Sequence, residues 1–111
     1  MTTRISPTPL ELALLSAFYE LHAAVGFPDP SSVQVISREN TGAGRYVMVN
    51  HRAGTLQDGY YDLGGRFIEM AGIPNGLMAV ALVRKGKLET LEIAVYGGDG
   101  WDGQERQWAI V

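Results

Sequence analysis

The sequence predicts an α+β domain: one N-terminal helix lying across a mostly antiparallel sheet of about five to six strands. Three observations carry that expectation. Thr8-Pro9-Leu10-Glu11 is a helix start with a capping box, and the apolar repeat that follows stops at Gly26-Phe27-Pro28. From Gly76 to Gly97 two β-compatible runs flank Lys85-Gly86, a pair suited to a tight hairpin turn. Shorter runs of the same kind are separated by clusters of glycine, proline and asparagine.

In chain order, Met1 to Pro7 has no periodicity and reads as a frayed tail. Thr8 caps a helix reaching about Val25, with Pro9 at its first position and Glu11 placed to reach back to the cap. At about 100° per residue, Leu10, Leu14, Ala17, Phe18, Leu21 and Val25 form one stripe that should pack on the sheet. Leu12, Leu15 and Tyr19 form a second flank, beside His22. Phe27 and the following Pro28 to Ser32 connection, or a C-terminal strand, would cover that flank; otherwise it is a dimer or partner interface.

Val33 to Glu39 and Arg45 to His51 read as a hairpin around Asn40-Thr41-Gly42-Ala43-Gly44. Arg52 to Gly65 is polar and glycine-rich, a loop of the length that often carries function. Arg66 to Ile73 is a further strand, turned by Pro74-Asn75-Gly76 into the central hairpin. A two-residue loop at Lys85-Gly86 pairs Val80 with Leu91 and Met78 with Ile93, which makes those four core residues along with Leu14, Phe18 and Leu21. Ala79 and Ala81 then face the other way. Gly97 to Arg106 is an open loop, and Gln107 to Val111 a short edge strand. The order resembles that of small cystatin-like or other helix-on-sheet domains.

The 111 residues suit a single domain that buries one core. A net charge of −3 argues against a surface that tracks nucleic-acid phosphates. The absence of cysteine excludes disulfides, cysteine-ligated zinc and a thiol nucleophile. The apolar run from Leu10 to Val25 is interrupted by Glu11, Glu20 and His22, so it neither spans a bilayer nor makes a good export signal. A cytoplasmic protein that binds neither membrane nor nucleic acid is expected.

Chemical motifs are sparse. Gly97-Gly98-Asp99-Gly100-Trp101-Asp102 matches the start of a calcium-binding repeat, but in a single copy and with Glu105 at the position that repeat reserves for an apolar residue. A glycine-rich loop without metal is expected there. His51, Asp58, Asp62 and Glu69 have suitable side chains for acid–base work or metal ligation, although their spacing fits no motif. No phosphate loop, nucleophile elbow or dinucleotide fingerprint occurs in its strand-to-helix context, and no cofactor is expected.

Tyr60, Tyr61, Trp101 and Trp108 lie in or beside the two loops, near Arg52, Arg66 and Arg106, in the composition that protein interfaces favour. The expectation is a small non-catalytic interaction domain with a protein partner or a second copy of itself, concretely a bacterial toxin-neutralising immunity protein. Leu12, Leu15, Tyr19, Tyr60, Tyr61, Trp101 and Arg106 are its candidate contacts. The alternative is a small-molecule binder or small enzyme using a pocket between helix and sheet, with His51, Asp58, Asp62 and Glu69 as its polar groups.

Overall fold

Thr8 and Glu11 close the capping box in the computed structural model: Thr8 Oγ1 accepts from the Glu11 N–H at 3.2 Å, and Glu11 Oε1 accepts from the Thr8 N–H at 3.0 Å. The structure describes residues 5–51 and 54–111. Helix α1 (Pro9–His22) runs into a 3-10 turn, Ala23–Val25, and Gly26 ends it at φ 97°. Only glycine takes that left-handed conformation without a steric cost. The tail is pinned earlier than expected, since Ile5 pairs with Val35 and the Ser6 carbonyl accepts from Arg38.

The helix packs on one antiparallel sheet of seven strands, larger than the five or six expected. These are β1 (Gln34–Asn40), β2 (Gly44–Asn50), β3 (Gly59–Tyr61), β4 (Ile68–Met70), β5 (Ile73–Arg84), β6 (Lys87–Val95) and β7 (Trp108–Ile110). Their order is β1-β2-β6-β5-β4-β7, with β3 also paired to β5. The unexpected strand is β3, whose three residues sit inside a segment too polar to read as sheet. It is held by the far half of the long β5, opposite Ala81 to Val83.

The central hairpin turns at Lys85 and Gly86, both at positive φ, with Arg84 opposite Lys87. A side chain at Gly86 would collide with the Gly54 carbonyl oxygen, because the loop after β2 closes over the turn. The register beyond the turn differs from the expected one. Val83 faces Leu88 but Leu82 faces Thr90, so Glu89 is an extra, bulged residue on β6. Leu91 consequently pairs with Ala81 and Ile93 with Ala79.

A one-residue slip exchanges the two faces of a strand. Leu77, Ala79, Ala81 and Val83 are therefore the buried side of β5, facing the helix, while Met78 and Val80 are only half-buried on the opposite side. Pro74 and Gly76 also lie within β5; its turn to β4 is at Ala71 and Gly72 instead. Leu10, Leu14, Leu15 and Phe18 join Val47, Leu77, Leu91 and Ile93 in the core. Leu21 and Val25 do not: they are 49% and 59% exposed. The last turn of the helix meets the loop around Thr55 and Gly64 and the short strand β3, not the long central strands.

Helix and sheet make two layers, in a slab 37 × 37 × 19 Å. No helix among the described residues is long and apolar enough to cross a membrane.

Candidate functional site

Of the loop that the sequence singled out, Arg52 to Gly65, the described residues 54–65 form a corner with the C-terminal end of α1. Phe27 turns back beneath the helix and stacks on Phe18 at 5.7 Å, and Tyr61 meets the His22 ring edge-on at 5.1 Å. His22 Nε2 lies 2.9 Å from the Asp62 carbonyl oxygen, and the Tyr61 hydroxyl donates to the Gln57 carbonyl at 2.7 Å. Aromatic packing and the His22–Asp62 bond hold β3 against the helix end, while the Tyr61–Gln57 bond closes the loop on itself. A cleft of about 540 Å³ opens there, lined by His22, Val25, Thr55, Asp58, Tyr60 and Asp62 among others. Tyr60, 64% exposed, stands at its edge.

The corner carboxylates also hold backbone. Asp58 Oδ1 accepts from the Gly86 N–H at 3.0 Å, and this bond, with help from Lys85 N–H and the Arg84 charge, keeps its pKa below the usual range. Asp62 Oδ1 accepts from Gly64 N–H at 2.9 Å. Both side chains remain exposed and ordered, with oxygen left to receive a cation.

The other two members of the proposed acid–base set lie elsewhere. Glu69 is exposed on β4, opposite Ala109 of β7. His51 is buried, and its Nε2 accepts from the Leu88 N–H, just past the hairpin turn. The ring proton therefore sits on Nδ1, which has no partner among the described residues. Among those residues no three histidine, aspartate or glutamate side chains gather to hold a metal ion.

Burial, and then the Lys87 charge, push His51 below its ordinary pKa of 6.5. Protonation in the unfolded chain precedes that in the folded one, so stability is full above about pH 6.5 and falls as pH drops from there toward the lower folded value. We expect His51→Gln to have a flatter dependence of melting temperature on pH in this interval than the wild type. Parallel curves would show that His51 is not the titrating group.

The remaining interface candidates divide by burial. Leu12 is exposed and Tyr19 half-buried, whereas Leu15, at 1% exposure, lies within the core under the second helix flank. Trp101 is also buried: its N–H donates to Gly42 O, its Nε1 to Gln104 O, and the Arg45 guanidinium lies 4.8 Å from its ring centre. Arg106 is exposed and doubly bonded to Asp102, which holds that carboxyl far below the usual range. The loop read as open is thus folded down, and Asp99 Oδ2 accepts from the side-chain amide of Asn75 at 3.0 Å. Arg52 lies outside the described residues.

An ion cluster at the opposite end of the helix had no place in the sequence reading. Glu11, fully buried, accepts from Arg38 at 2.6 Å and from Arg45 at 3.1 Å; Arg45 also donates to Glu105 at 2.6 Å, to Gly103 O and to Asn40. Burial alone would raise the Glu11 pKa, but the Arg38 bond, the Thr8 N–H and the two arginine charges outweigh it and lower the value. The signal was present in the alternation of β2, where Arg45 falls in phase with Val47 and Val49. Every charge in the cluster is matched, so it acts as a structural clamp joining α1, β1, β2 and the loop before β7.

A second cleft, of about 400 Å³, lies where the edge of β5 passes between its partners β3 and β4; Asp62, Arg66, Phe67, Met78, Val80 and Tyr96 line it. Comparison with family models, with curated proteins and with solved structures finds no match to this chain.

Proposed function

We propose that this protein is a non-catalytic interaction domain that binds a basic protein through the corner between the helix end and β3, in the manner of a toxin-neutralising immunity protein. One observation carries the reading: exposed Val25 and Tyr60 line one cleft with Asp58 and Asp62, whose positions are fixed by backbone bonds. Apolar and aromatic anchors beside ordered carboxylates suit a partner presenting lysine or arginine, and the chain's net charge of −3 favours the same encounter. The helix-on-sheet architecture, read in the sequence as cystatin-like or similar, implies no activity by itself.

The test is co-expression with the product of the adjacent gene. If that product arrests growth, the wild-type chain should relieve the arrest, and Val25→Arg, with the wild-type melting temperature, and Asp62→Arg, still folded, should both lose protection. Protection unaffected by both variants would place the contact elsewhere. An adjacent product that is neither toxic nor bound would remove the immunity reading.

Small-ligand binding is the second reading, favoured by the cleft beside β5, whose volume of about 400 Å³ falls within the range of ligand pockets. Amide shifts at Arg66, Phe67 and Met78 on screening small molecules, without shifts at Val25 and Asp62, would support it.

A further inference from the structure

The helix covers one side of the sheet, and among the described residues no element of secondary structure covers the other. Pairing across the strands orders that uncovered face into rows. The middle row is Ser37, Met48, Thr90, Leu82 and Tyr60, contributed by β1, β2, β6, β5 and β3 in turn. It is uncharged. One step toward the hairpin tip stand Arg84 and Lys87, with Lys85 at the turn and the carboxylates of Glu89 and Asp58 nearby, a net positive end; one step the other way stand Glu39, Tyr46, Glu92 and Val80. Beyond them Ala94 faces Met78. None of Arg84, Lys87, Glu39 and Glu92 has an ion-pair partner among the described residues.

The face thus runs from positive through apolar to negative along the strands. Such a gradient is complementary to itself when turned end for end. A two-fold axis lying along the middle row brings a second copy face to face with its strands antiparallel. It sets Leu82 and Met48, on either side of the buried Thr90, against the same row of the mate, and places each Lys87 over the other copy's Glu92. The other two-fold arrangement, with strands parallel, would stack Glu92 on the acidic row of its mate and the basic tip on the basic tip. Packed sheets prefer strand directions within about 30° of alignment, which either direction permits, so the charges decide between the two.

We propose that the uncovered sheet face binds a second copy of this chain in that antiparallel arrangement, with Leu82 at its centre and Lys87–Glu92 pairs on either side. The bulge at Glu89 makes this surface: it turns Leu88 inward and brings Met78, Val80 and Leu82 onto the outer side. The 37 × 37 Å breadth of the slab exceeds the ~800 Å² per partner of a standard interface. The helix-end corner stays outside the interface apart from Tyr60 at the rim, so this proposal and the binding of a basic partner stand or fall separately.

Sedimentation equilibrium of the full chain over a concentration series provides the test. We expect a monomer–dimer equilibrium. Leu82→Glu should shift it to monomer, with an unchanged circular dichroism spectrum and, at a dilution where both proteins are monomers, a similar melting temperature. Glu92→Lys and Lys87→Glu should each weaken the dimer by about tenfold or more, and the double exchange should recover most of that loss. Leu12→Glu, on the helix side, should leave the mass distribution unchanged. A chain that is monomeric at every concentration overturns the proposal. So does a dimer indifferent to Leu82→Glu, or one whose charge exchange shows no recovery; those results would place the contact on another surface.

Discussion

Arg45→Met is expected to destabilise the fold by about 3–5 kcal/mol, because removing one member of a buried ion pair leaves its partner uncompensated. Arg45 is 3% exposed and links Glu11, Glu105, Asn40 and the Gly103 carbonyl. Methionine restores none of those bonds, and Glu11, fully buried, would retain only Arg38 as a charged partner. For a domain of this size the loss corresponds to a fall in melting temperature of more than about 10 °C. Arg106→Met, which breaks the exposed Asp102 pair, should leave the melting temperature close to wild type. If both substitutions behave alike, burial is not what gives the cluster its weight.

The same cluster predicts acid sensitivity of defined sign. Glu11 is held below its ordinary value of 4.5, so its contribution is full above that pH and is lost as pH falls toward the lower folded value. This interval begins at a lower pH than the one assigned to His51, and the two can be separated by repeating the titration in His51→Gln.

Leu91→Ala should cost about 2–5 kcal/mol, whereas Val80→Ala should cost no more than about 1 kcal/mol, measured where the chain is monomeric. An unbulged hairpin would pair these two residues and bury both. With Glu89 bulged, Leu91 is fully buried opposite Ala81, and Val80 is half-buried opposite Glu92. Denaturant titration of the two variants reads the register directly. Equal large losses would restore the unbulged pairing; equal small ones would deny that this hairpin is the centre of the core.

Local signals in the sequence were specific where one short segment determined the outcome. Thr8, Pro9 and Glu11 begin the helix and Gly26 ends it, since capping requires only neighbouring residues. Lys85 and Gly86 make the turn for the same reason. Outcomes that depended on distant chain were not legible. The register of β6, the strand formed by Gly59 to Tyr61, and the exposure of Leu21 and Val25 all depend on what lies across from them.

The candidate site followed the same division. Tyr60, Asp58 and Asp62 could be picked out as loop residues with interface chemistry, but His51 and Glu69 could not be separated from them by spacing alone. Only the fold shows His51 accepting a backbone bond inside the protein and Glu69 on a different strand. Trp101 and Leu15 looked available and are enclosed.

By itself, the sequence determined an α+β domain with one capped helix and a central hairpin, because capping, turn chemistry and alternation act over a few residues. Tertiary structure decided which side of each strand meets the helix. Side chains in a strand alternate, so one bulged residue, Glu89, exchanges core for surface along β5 while Leu91 and Ile93 of β6 stay in the core.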